Sequence, residues 1–277
     1  VSGLHAAAFG VLCERDVRAK LQRTAALASA WRAGELDLDP AGAPPVVALP
    51  IPGRPDRPSL VPAREVPSRP LGSPSGRAAL VHAVAHIEFN AINLAWDAVY
   101  RFRGLPRAYY DDWVGVADDE ARHFRLLQGR LEELGLAYGD LPAHDGLWQS
   151  AVATAHDALA RMALVPRVLE ARGLDVTPGM IARLRAVGDG RTADLLDVIL
   201  REEVAHVAAG SRWFRHLCEQ SGRDPEGTFL MLVEQESRGA VRGPLNLPAR
   251  AAAGFSREEL DGLARLGSPE TSARTVP

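Results

Sequence analysis

A chain of 277 residues, 47% of them apolar, can bury a substantial core, and its formal charge of -3 with an isoelectric point near 6.3 leaves no basic footprint for nucleic acid. Its two cysteines, Cys13 and Cys218, are too few and too far apart for a disulfide framework or a cysteine zinc site. Val1 to Arg18 lacks the basic start and apolar core of a signal peptide, and no uninterrupted apolar run approaches the roughly 20 residues that span a bilayer, so a soluble, cytoplasmic protein is expected.

In chain order, residues 3 to 34 read as one helix, in which Leu4, Phe9, Leu12, Leu21, Leu27 and Trp31 punctuate an alanine-rich, charged stretch containing Lys20, the sole lysine. From Asp39 to Ser75 the composition changes: 11 of the 20 prolines lie between Pro40 and Pro74, which rules out helix and central strand. Interspersed Val46, Val47, Leu49, Ile51, Leu60, Val61 and Val66 predict an extended segment wrapped over a helical body. Four long helices follow. The first runs from Gly76 to Phe102 with Ser75 as N-cap, and the second from Ala108 to Leu134, stopping at Gly135. The third runs from Leu147 to Arg172 with a kink at Pro166, stopping at Gly173, and the fourth from Thr192 to Ser221, ending at Gly222. Shorter helices are expected near 178–187, 225–238 and 257–266, with a frayed tail. The expected architecture is all-α: an N-terminal helix (1–38), a proline-rich segment (39–75), an antiparallel four-helix bundle (76–240) and a C-terminal extension (241–277).

Each long helix carries a carboxylate on its apolar stripe. In the fourth, Leu196, Ile199, Gly210, Trp213 and Leu217 leave two stripe positions, occupied by Glu203 and His206. In the second, Trp113, Val116, Leu127 and Leu134 flank Glu120 and His123. Glu88 in the first helix and Glu170 in the third sit among Val84, Ala91 and Ala95, and among Leu159, Ala163 and Leu174. An ionised carboxylate in a core costs several kcal/mol unless compensated. Four of them with two neutral imidazoles match the charge of two divalent cations, and Glu-x-x-His sets both ligands on one face, one turn apart. The set repeats along the chain: Glu88 precedes Glu120 by 120 − 88 = 32 residues, and Glu170 precedes Glu203 by 203 − 170 = 33. Asp119 and Glu202, just before the two motifs, are suited to hold the far N–H of a metal-bound imidazole on the opposite helix: Asp119 that of His206, Glu202 that of His123.

The string Asp119-Glu120-Ala121-Arg122-His123 matches the D-E-x-x-H signature of the ferritin-like di-iron carboxylate superfamily, and Glu202-Glu203-Val204-Ala205-His206 matches it with Glu for Asp. Together with His82-Ala-Val-Ala-His86-Ile-Glu88-Phe-Asn90, the stretch 70–250 resembles a bacterial ferritin-like family of unknown function, similar in outline to the di-iron tRNA hydroxylases. The resemblance implies a ferritin-like four-helix bundle with a two-metal site, of iron or else manganese, ligated by Glu88, Glu120, His123, Glu170, Glu203 and His206. It implies an oxygen-dependent oxidase or hydroxylase, with O2, an electron donor and an unknown substrate as partners. Ferroxidase or manganese-catalase chemistry and a metal-stabilised scaffold are the competing readings; a homo-oligomer is compatible with each. A tRNA substrate is weakened by the overall acidity, and no membrane partner is expected.

Other residues have plainer readings. His82 and His86 point about 120° and 160° away from Glu88 around their helix and are expected to support the ligands or to hydrogen-bond between helices rather than to bind metal. His5, His144, His156 and His216 read as surface or capping residues, Trp113 and Trp213 as core. Tyr109 and Tyr110 read as an amphipathic helix start, with an electron relay as the functional alternative. Arg167 is expected at a cavity mouth or in solvent, and Arg238, Arg242 and Arg250 as solvated or as contacts for an anionic substrate.

Overall fold

The computed structural model describes residues 3–38, 45–67 and 69–267; among them are eleven α-helices, and the only extended pairing is an isolated parallel bridge between Leu60 and Ala143. The expected frayed tail from 268 and the start of the proline segment at 39–44 lie outside the described residues. The chain divides into two compact units, Val1–Val152 and Ala153–Pro277.

In the first unit the N-terminal stretch is two helices rather than one, α1 (Leu4–Leu12) and α2 (Val17–Arg32). The break has local causes. Asp16 caps α2 by accepting from the Ala19 amide at 2.8 Å, and the final carbonyls of α1 find partners outside the helix. Leu12 O accepts from the Gly53 amide, and Lys20 Nζ reaches both Val11 O and Leu12 O. Gly53 is required there, because a Cβ would lie 2.3 Å from the Cys13 carbonyl carbon.

The core of this unit is the hairpin of α3 (Pro74–Arg101) and α4 (Arg107–Glu133), turned at Gly104, whose φ is 76°. The N-cap of α3 is Ser73 rather than Ser75: Ser73 Oγ accepts from the Gly76 amide, and Pro74 takes the first helical position, where its missing N–H costs nothing. The hairpin is fastened by Tyr109 and Tyr110, both fully buried, whose hydroxyls donate to Ala98 O and Phe102 O. α1 docks on α3 through His5, which is buried against Val99 O at 2.9 Å rather than on the surface, and through Phe9 stacked on Tyr100. α2 docks through Trp31, whose indole donates to Asp111, and Thr24, which accepts from Trp96. By length and composition α3 could cross a membrane, but 72% of its apolar window is buried in the protein, as in a core helix.

The proline segment is laid along this unit as expected. Val47 N donates to Tyr100 Oη, Trp148 Nε1 donates to Pro50 O, and around the Leu60 bridge Val61 N donates to Ala143 O while Ala143 N donates to Ser59 O. α5 (Gly146–Ala153) follows.

The expected third helix, Leu147–Arg172, is divided: α5 covers its start, the chain leaves the helix at 154–157, and in the second unit the remainder falls in three pieces. α6 (Ala158–Leu164) starts at the cap Asp157, a π-helical segment spans Val165–Glu170, and α7 (Ala171–Ala186) continues from it. Pro166 has no N–H to keep the α ladder, and the chain takes the π register there. Helix and proline fit closely: a Cβ at Gly210 of α8 (Gly190–Gln220) would sit 2.4 Å from Pro166 Cγ. Neither Gly173 nor Pro178 stops α7, so the separate helix expected at 178–187 is its C-terminal half. Pro178 cannot donate to the carbonyl four residues back, Leu174 O, and the side-chain amide of Asn246 donates to it at 3.0 Å instead. The unit is completed by α9 (Pro225–Glu236), α10 (Leu247–Ala252) and α11 (Arg257–Leu266), of which α10 escapes the periodicity because it has six residues.

Candidate metal centre

In the first unit α3 and α4 bring three of the expected ligands together in the core. Glu88, Glu120 and His123 are 4%, 1% and 0% exposed, and one donor atom from each lies within 4.8 Å of the others. His123 Nδ1 is 3.3 Å from a Glu88 carboxylate oxygen and 3.5 Å from one of Glu120. The hairpin makes this arrangement: Glu120 and His123 share a face of α4 three residues apart, and the antiparallel neighbour presents Glu88 to that face.

The electrostatics favour a cation. Burial alone would lower the pKa of His123, but hydrogen bonds and charge from Glu120 and Glu88 outweigh it and hold the imidazole proton up to about 11. One imidazolium balances one of the two carboxylates, whereas a divalent cation bound by all three side chains would balance both and leave the imidazole neutral. Two carboxylates and one imidazole are a donor set for hard or borderline divalent ions.

The second unit holds the other three expected ligands. Glu203 and His206 sit side by side on α8, with His206 Nδ1 3.4 Å from Glu203 Oε1; His206 is 2% exposed. Glu170 ends the π segment, so the widened turn sets its angle on the helix. Of the expected helper acids, Asp119 is half-buried with Arg122 Nη2 at 3.0 Å, and Glu202 is half-buried on α8.

Near Glu88, His82 and His86 bond to the loop after α4 and not to another helix. His86 Nδ1 meets Tyr138 Oη at 2.9 Å and its Nε2 meets His144 O, while His82 Nε2 accepts from the Gly139 amide. Burial pushes the pKa of His86 down to about 4, so it is a neutral prop. Sequence reasoning passes over Tyr138, which stacks on both histidines and packs on Phe89 and Phe124, the residues adjoining Glu88 and His123. No periodicity marks it, since it lies in the loop after α4. Trp113 and Trp213 are core residues as expected. Arg167 is the clearest departure: it is fully buried, its Nη2 2.7 Å from a Glu259 that is also fully buried.

The helical fold and this cluster define an all-α protein with a buried carboxylate–histidine site able to hold a metal ion. Within that class, the chain belongs to the family described as protein of unknown function DUF455, whose model matches residues 13–261. It is 45% identical over 214 residues to an uncharacterized protein of Haemophilus influenzae, an alignment covering 75% of this chain and 74% of that one. No solved structure matches it.

Proposed function

We propose that this chain is a ferritin-like dinuclear metalloprotein that oxidises or hydroxylates a substrate with O2. In this reading the two helix pairs, each contributing one glutamate and one Glu-x-x-His, close into a four-helix bundle. Glu88, Glu120, His123, Glu170, Glu203 and His206 hold two ions, iron or alternatively manganese. Asp119 and Glu202 orient the histidines, and an electron donor supplies reducing equivalents. The observation that carries it is the burial of Glu88 and Glu120 around His123, since two carboxylates are not kept in a core without compensating positive charge. The near-equal spacing of the second set, and a π turn ending at Glu170, support extending it to both halves.

The residues have separable tasks. The six ligands bind and orient the ions, the buried aromatic residues around them exclude bulk water, and Tyr138 with His86 fixes the loop that covers this end of α3. The bound pair would supply oxygen-dependent oxidation. The test is metal analysis of protein purified from its own host, together with anaerobic ferrous titration. Two equivalents of iron or manganese per chain are expected, falling below one in Glu120→Gln, and the ferrous-loaded protein should consume O2. A wild-type chain that takes up neither metal at micromolar concentration would overturn the reading.

A further inference from the structure

A second polar cluster lies within the 153–277 unit, in a small pocket lined by Arg167, Arg172, Asp175, Arg242 and Arg250. Arg167 is held by stacking against Phe214, Phe229 and Phe255 at 4.8, 4.0 and 4.6 Å and by bonds to Ser211 and Glu259. Arg250 is 4% exposed and forked onto Asp175 by bonds of 2.9 and 2.7 Å. These contacts leave one nitrogen over on each: the buried Nη1 atoms of Arg167 and Arg250 have no acceptor among the described residues. Stacking against rings disperses a guanidinium's charge but gives its in-plane N–H groups no acceptor, and an unmade bond from a buried charged donor is costly. The charge is also out of balance. Four guanidinium groups and one carboxylate, Asp175, line the pocket; Glu259 pairs with Arg167, and Arg215 adds further positive charge beside it.

We propose that this pocket binds a phosphate group, free or carried as a phosphomonoester. A tetrahedral dianion suits this excess of positive charge, and its oxygens would accept from the two buried Nη1 donors. The present opening holds little more than one water, so entry requires the exposed Arg242 side chain to swing aside and close on the anion. The inference stands apart from the metal centre, using none of its ligands.

The test titrates the full-length protein with inorganic phosphate, and separately with phenyl phosphate, by calorimetry at fixed ionic strength. Saturable binding is expected, weakened roughly tenfold in Arg242→Ala and in Arg172→Ala. Both variants should melt as the wild type does in chloride, because neither position is deeply buried. Tighter binding of phenyl phosphate marks a phosphomonoester site, and equal or tighter binding of the inorganic ion marks a free-phosphate site. Binding that survives in Glu120→Gln assigns the anion to the arginines; binding lost there would place phosphate on the metals and overturn the proposal. So would absence of saturable binding, or affinity unchanged in both arginine variants.

Discussion

Lys20 shows how one residue holds an element in place. Its side chain is fully buried, with three acceptors, Val11 O, Leu12 O and Asn93 Oδ1, at 3.0, 3.3 and 2.6 Å, and the Phe89 ring beneath it. Burial pushes its pKa from 10.5 down to about 7, with opposing pulls from Cys13 and Glu14. Between those two values the unfolded chain binds the proton that the folded chain releases, so the contribution of Lys20 to stability rises with pH across that window, by up to about 1.4 kcal/mol per pH unit, and levels off above it. His123, whose pKa is raised, acts in the opposite sense in wild type and variant alike. Urea unfolding at pH 6.5 and pH 9 should therefore show the wild type gaining stability relative to Lys20→Met as pH rises, with the variant the less stable at high pH because the α1 carbonyls lose their donor. The sequence marks Lys20 as unusual, being the sole lysine, but a burial that depends on α1, α2 and α3 meeting is not visible in a string.

At the scale of elements, helix existence was legible and helix continuity was not. Periodicity locates α3, α4 and α8 to within a few residues because each buries a long apolar stripe. It fails at Cys13–Asp16, at Pro166 and at Gly173; at the first, the outcome depends on Gly53 and Lys20 taking the orphaned carbonyls of α1. Pro178 is the sharpest case: α7 passes through it because Asn246, 72 residues away from Leu174 in sequence, replaces the missing donor. Asn246 also caps α10 through the Ala249 amide, and its own amide donates to Asp175. Asn246→Ala should therefore lower unfolding free energy by about 1–3 kcal/mol, measured by chemical denaturation, whereas Asn246→Asp should recover the α10 cap but not the bond to Leu174.

For the molecule as a whole, the proposed dinuclear function predicts that metal couples the unfolding of residues 1–152 to that of 153–277. Scanning calorimetry of metal-loaded protein should then give one transition, raised by about 2–3 kcal/mol of ligand binding at a hundredfold excess over Kd. Chelated protein should unfold in two steps near 1–152 and 153–277. If loaded and chelated protein give the same two transitions, the ligands do not act as one site. The sequence alone determined the all-helical class and the placing of acids and histidines on apolar stripes, because amphipathic periodicity is a local property that each helix displays by itself. It also marked Glu88, Glu120 and His123 as core residues. The tertiary structure alone decided that these three side chains converge, that the first helix is two and the third is interrupted, and that Arg167 lies buried on Glu259 instead of facing solvent. The convergence of the three side chains, the capping of α1 and the burial of Arg167 each turn on a polar group satisfied by a partner far along the chain, and such partners meet only when the helices pack.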